Sequence, residues 1–125
     1  MTTEIFIPRV AEWLTTNSRD HWALRNNRTQ TWRRSTWALT KGTRPIQGPV
    51  KITATIIKPT RHRYDLDGHV PTVKACIDGL RDAGVITEDH TGVVPELTLR
   101  AGEPARRAGV LLRIESITTK ETNHD

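Results

Sequence analysis

The sequence predicts a small α/β domain of the α+β kind, a mixed β-sheet of about four strands with helices packed on it. Three observations carry that expectation. Residues 50–58 (Val-Lys-Ile-Thr-Ala-Thr-Ile-Ile-Lys) alternate apolar and polar side chains with the period of two that a half-buried strand requires. Residues 71–83 instead place Val73, Cys76, Ile77, Leu80 and Ala83 at helical spacing on one face. Strand-like and helix-like segments then follow one another as strand, loop, helix, strand, helix, strand, strand. The 125 residues suit one domain, residues 1–125, with a modest core.

Residues 4–10 (Glu-Ile-Phe-Ile-Pro-Arg-Val) read as a short strand that Pro8 ends or confines to a sheet edge. Residues 15–28 are rich in Asn and Arg, lack clear periodicity and are expected to form an ordered loop. A helix over residues 28–40 sets Trp32, Ser35, Thr36 and Leu39 on one side and Arg33 and Arg34 on another, and Gly42 stops it. Pro59 closes the clearest strand, and the segment Arg61-His62-Arg63-Tyr64 leads into Asp65-Leu66-Asp67, read as a strand end. Pro71 suits the first turn of the next helix and Gly84 its C-terminal cap. Residues 93–100 and 110–117 are expected to be two strands joined as a hairpin, and the polar tail 118–125 is expected to fray.

Charge narrows the partners. Nineteen Lys and Arg face 14 Asp and Glu, a formal net charge of +5 and a pI near 10.0, which favours a polyanion. Cys76 is the only cysteine and sits among apolar helix residues, so it reads as a buried inert thiol with no disulfide partner in these residues. A reducing, cytoplasmic setting is the simplest fit. No apolar run approaches a bilayer span, and the N-terminus lacks the basic-then-apolar layout of a signal peptide.

The acids are the most telling chemistry. Asp65 and Asp67 are two apart and would share a face if extended, and Glu88-Asp89 returns after the helix. Clustered carboxylates in a basic chain repel one another unless a cation sits among them, and Mg²⁺ is the usual cation for oxygen ligands. Such a site can activate water and stabilise charge in phosphodiester hydrolysis. The bland reading, solvated acids at turns, has at least equal weight from pattern alone. Lys74 has two readings as well: an exposed i,i+4 pair with Asp78, or a cation for the scissile phosphate. Trp13, Trp22, Trp32 and Trp37 fall in the first third, interleaved with Arg19, His21, Arg25, Arg28, Arg33 and Arg34. Basic side chains contact phosphates and aromatic faces stack on bases, for which Trp22 is the better candidate, while Trp32 and Trp37 read as core or interface. Arg61, His62, Arg63 and His69 flank the acidic pair and are candidates to guide phosphates, or only to neutralise it. No Cys/His spacing suggests zinc, and no glycine-rich phosphate loop suggests a nucleotide cofactor.

Arg63-x-Asp65-Leu66-Asp67, then Lys74-Ala75-x-x-Asp78-x-Leu80-x-x-Ala83-Gly84-Val85, then Glu88-Asp89, resembles the RusA-type Holliday-junction resolvases. Thr16-Asn17-Ser18-Arg19 resembles that family's loop after the first strand. The resemblance implies a homodimeric, Mg²⁺-dependent endonuclease of bacteria or their phages, with Mn²⁺ as a substitute metal, that nicks four-way DNA junctions symmetrically. It implies Asp65, Asp67 and Asp89 as metal ligands, Lys74 in support of catalysis and Glu88 as an auxiliary acid. Two departures stand out. Gly68 replaces the family's Asn, and seven residues separate Asp67 from Lys74, three more than in the family pattern. A non-catalytic DNA-binding module, or a nuclease for flap or fork DNA, are the alternatives.

Overall fold

In the computed structural model, which describes residues 2–17, 19 and 21–117, the chain runs β1 (Thr2–Pro8), α1 (Trp22–Thr40) and β2 (Val50–Ile57). A 3-10 turn (Asp67–His69) then continues directly into α2 (Val70–Asp82), followed by β3 (Glu96–Ala101) and β4 (Gly109–Ser116). The expected frayed tail lies outside the described residues. The four strands form one mixed sheet in the order β1-β4-β2-β3, so the fold is a small α+β sheet carrying two helices.

The alternation in β2 does what its period requires. Val50, Ile52, Ala54 and Ile56 are all fully buried, and their neighbours are half-buried. Ile52 lies opposite Ile114, Ala54 opposite Leu112 and Ile56 opposite Val110 of antiparallel β4. On the other side of β4, Ile5 and Ile7 of β1 lie opposite Leu112 and Val110. Val73, Ala75, Cys76, Ile77 and Leu80 of α2 join the same buried cluster. Each fully buried aliphatic side chain there contributes about 1.5–3 kcal/mol.

The expected hairpin of the last two strands does not form. β3 pairs in parallel with β2, and β2 stands between it and β4. The physical reason is burial. β2 and β4 carry the complete apolar faces and take the centre, whereas β3 exposes Leu97 and serves as an edge. The β3–β4 connection passes the end of β2, where Gly102 N–H donates to Ile56 O (2.8 Å) and Ala105 N–H to Lys58 O (3.1 Å).

The helix α1 starts at Trp22, six residues before the expected position, in what the sequence suggested was loop. Its cap is His21, whose Nδ1 accepts from Ala23 N–H at 3.2 Å, and its first turns bury almost nothing, so periodicity is absent there. The buried positions are Trp32, Thr36 and Thr40, an i,i+4 stripe; Leu39, expected on that side, is exposed. The hydroxyls of Thr36 and Thr40 donate to the carbonyls of Trp32 (3.0 Å) and Thr36 (2.7 Å), so neither is buried unpaired. The stripe meets α2 at Gly79, where an added Cβ would fall 2.5 Å from Arg33 O and 2.7 Å from Thr36 Cβ. At the end of α2 Gly84 has φ +79°, the left-handed conformation expected of a C-terminal cap.

That crossing yields a test. Alanine at position 79 gains at most about 1 kcal/mol of helix propensity, but the backbone carbonyl of Arg33 cannot yield as a flexible side chain does. Gly79→Ala is therefore expected to lower stability by about 1–3 kcal/mol, read from the denaturant midpoint.

Candidate nucleic-acid site

Asp65-Leu66-Asp67 is not the end of a strand. The ladder of β2 stops at Ile57, Pro59 follows, and the acids lie on the turn that opens α2. Strand period therefore does not set their orientation. Leu66 between them packs against the core and leaves Asp65 and Asp67 exposed. The turn is held through its backbone. Asp65 O accepts from Gly68 N–H (3.1 Å) and Leu66 O from His69 N–H (3.0 Å). Thr16 N–H donates to Gly68 O (2.9 Å). The buried hydroxyl of Thr72 accepts from Leu14 N–H (2.8 Å) and donates to Leu14 O (2.9 Å). The loop before α1 is thus stitched to the head of α2.

His69 is buried, 3% exposed, which corrects its reading as a surface guide for phosphates. Its ring sits edge-on to Trp13 (5.6 Å) and Tyr64 (5.2 Å), and Trp13 stacks on buried Trp32 (5.4 Å). His69 Nδ1 lies 3.0 Å from Asp65 O. A carbonyl only accepts, so Nδ1 donates and a neutral ring leaves Nε2 as an acceptor. Nε2 is buried and has no partner among the described residues. Burial pushes the His69 pKa down, opposed by the bond to Asp65 and aided by nearby Lys58.

The longer link from Asp67 to Lys74 is helical throughout, as the 3-10 turn and the start of α2. Three extra residues are nearly one helical turn, about 4.5 Å of rise. Lys74 is thereby moved along the helix more than around it. Its Nζ lies 2.8 Å from Asp78 Oδ1 and 2.6 Å from Asp89 Oδ2. The i,i+4 pair and the contact with the returning acid both form. Those two carboxylates raise the Lys74 pKa. Lys74 in turn, with the charge of nearby Arg81, holds Asp89 well below the usual carboxylate range. Arg81 Nη1 reaches Asp89 Oδ1 at 3.3 Å.

The acids expected to share one cation are therefore divided. Asp65 and Asp67 stand at the head of α2 with no ion-pair partner among the described residues, while Asp89 is occupied by Lys74 and Arg81 on its flank. Among the described residues, no three Asp, Glu, His or Cys side chains are gathered to hold a metal ion. Glu88 is exposed beside Asp89.

The residues proposed to contact DNA fare unequally. Trp22 is 75% exposed on the first turn of α1 and lines a surface hollow of about 480 Å³ with Arg25, Asn26 and Thr29. Arg25 also ties down the loop, Nη1 donating to Thr15 O at 3.0 Å. Arg19 and Arg63 are exposed, Arg28 is half-buried, and Arg61 pairs with exposed Glu103 at 3.1 Å. Arg33 differs: its guanidinium grips Asp82 through Nε (2.6 Å) and Nη2 (2.9 Å), joining α1 to α2. Its first role is structural. Trp32 is fully buried as expected, its Nε1–H donating to Glu12 O (3.0 Å), whereas Trp37 is 41% exposed under Lys41. Cys76 is buried, and desolvation pushes its thiol up to about 12, as expected of an inert cysteine. Sequence reasoning passed over Lys58 and Tyr64. Lys58 looked like the last residue of a strand, and only Tyr64's place beside the acids hinted at a role.

No family model matches the chain, and no curated protein is significantly similar to it. No helix among the described residues is long and apolar enough to cross a membrane.

Two outcomes follow from the geometry. Thr72→Val keeps the volume but leaves Leu14 N–H and C=O buried without partners, so it should cost about 2 kcal/mol or more in chemical denaturation. The Arg33 bond depresses the Asp82 pKa, so its stabilisation is full above the unfolded carboxylate value of about 4 and is lost as pH falls through the lower folded value. Asp82→Asn should therefore lower Tm at neutral pH, with the deficit shrinking below about pH 4.

Proposed function

We propose that this protein is an Mg²⁺-dependent, structure-selective endodeoxyribonuclease that resolves four-way DNA junctions in recombination and repair, as a cytoplasmic homodimer with one site per subunit. The observation that carries the reading is the 2.6 Å contact between Lys74 and Asp89. These are the matched cation and acid of the resemblance, and they meet on the helix whose head bears Asp65 and Asp67. A +5 chain with exposed Arg19, Trp22 and Arg63 supplies the surface for a polyanion.

Mg²⁺ characteristically takes only one or two carboxylates and fills its remaining positions with water and phosphate oxygens. Asp65 and Asp67, exposed and with no ion-pair partner among the described residues, fit that demand without Asp89. Bound there, Mg²⁺ (or Mn²⁺) would neutralise charge on the scissile phosphate and acidify a water. The chain's own contributions are positional. The backbone bonds at Gly68 and His69 fix the acidic turn. Asp78 and Asp89 hold Lys74 charged and oriented, available to the phosphate where negative charge develops. Asp89 is the third candidate ligand and, meanwhile, the counter-ion that sets Lys74. Glu88, exposed beside it, is the auxiliary acid.

The ion pairs on Asp89 favour one other reading, a non-catalytic DNA-binding module in which the acids are structural. Metal dependence separates the two. With a labelled four-way junction and Mg²⁺, the wild type should give paired nicks, and Asp67→Asn should lose at least about 100-fold in rate. Undiminished cutting by Asp67→Asn removes the ligand assignment. Absence of Mg²⁺-dependent nicking with tight junction binding selects the binding module, and equal cutting of linear duplex removes the junction preference. Flap and fork probes in the same assay test the remaining substrates.

A further inference from the structure

A cavity of about 270 Å³ opens beside the acidic turn, lined by Trp13, Asn17, Lys58, Tyr64, Asp65 and His69 among others. A second, of about 220 Å³, shares Lys58 and Tyr64 with it and is lined also by Arg61 and His62. The two form one groove across the end of β2. We propose that this groove binds one unstacked nucleotide of the DNA substrate, its base against Trp13 and Tyr64 and its phosphate on Lys58. The inference deepens the reading of the protein as a DNA junction nuclease and rests on it.

Four observations carry it. Trp13 and Tyr64 contribute walls of the cavity, and aromatic rings are sequence-tolerant partners for a base once the Lys58 ammonium moves from their faces onto its phosphate. The Lys58 ammonium is held over both rings, 4.0 Å from Tyr64 and 5.5 Å from Trp13, and has no carboxylate partner among the described residues. Burial and nearby Arg9 lower its pKa, so the charge is kept at a cost that an anion would relieve. The cavity beside the acidic turn, about 270 Å³, is below the roughly 300 Å³ of the smaller drug-sized pockets, which suits one base, and the adjoining cavity leaves room for the sugar and phosphate. Asp65 lines the same cavity, so a nucleotide seated there has its phosphate next to the acidic turn. A branch point offers such a nucleotide, because unpaired or distorted bases cost least to unstack.

The test uses the intact protein in EDTA, where nothing is cut. Fluorescence anisotropy compares a labelled single-stranded hexathymidylate with a deoxyribose-phosphate hexamer of equal charge that lacks bases. The wild type should bind the base-bearing strand about 5- to 150-fold more tightly. Tyr64→Leu should bring the two affinities together, Tyr64→Phe should keep the preference, and Lys58→Gln should weaken both strands. Thermal melts alongside confirm that each variant is folded. Equal wild-type affinities, a full preference in Tyr64→Leu, or unchanged binding in Lys58→Gln would each overturn the proposal. Because the readout is metal-free binding, failure here leaves the cleavage result standing. Conversely, a protein that cuts no junction but shows this base preference keeps the groove and loses the nuclease.

Discussion

The hydroxyl of Thr72 is the point on which the site depends. It lies fully buried on the first turns of α2 and closes both the N–H and the C=O of Leu14. Two backbone groups that would be costly to bury unpaired are satisfied by one side chain. The loop before α1 is thereby fixed against the head of α2. Once it is fixed, Trp13 stacks on Trp32, His69 is wedged between Trp13 and Tyr64, and Thr16 N–H reaches Gly68 O. The acidic turn thus owes its shape to a polar tie and an aromatic wedge from elsewhere in the chain.

Electrostatics divides the helix α2 into two neighbourhoods. At its head, Asp65 and Asp67 have no ion-pair partner among the described residues, and the partial positive charge of a helix N-terminus there favours carboxylates. Along its flank, Lys74 and Arg81 converge on Asp89, and Asp78 completes the set. Lys74 is 59% exposed, so these pairs add little stability in water. Their effect is orientation. A cation with two carboxylate neighbours in a basic protein points in a defined direction, which is what a phosphate-binding group needs.

The sheet order explains where the groove lies. A hairpin of the last two strands would have left the end of β2 open. With β2 central, the β3–β4 connection must cross that end, and it brings Gly102, Glu103 and Pro104 to one side of Lys58. The acidic turn lies on the other side. Lys58 is thus enclosed between two loops by a consequence of strand order.

Elements whose signal is periodic and local could be read from the order of residues alone. The buried face of β2, the apolar face of α2, Gly84 as its cap and Cys76 as a buried thiol were all legible, because burial of one face writes itself into spacing. Lys74 was likewise placed with Asp78, since helical geometry alone brings them together. The start of α1 was not legible, because its first turns bury little and its cap is a histidine. The pairing of β3 was not legible either, since strand neighbours are chosen by comparing whole apolar faces. The site divided in the same way. The acids and Lys74 could be named from their types and spacing. The placing of Asp65 and Asp67 on a turn apart from Asp89, the bridge from Arg33 to Asp82, the burial of His69 and the groove that Lys58 and Tyr64 share with Asp65 came from tertiary packing. Those outcomes depend on contacts between residues far apart in the chain, which spacing does not encode.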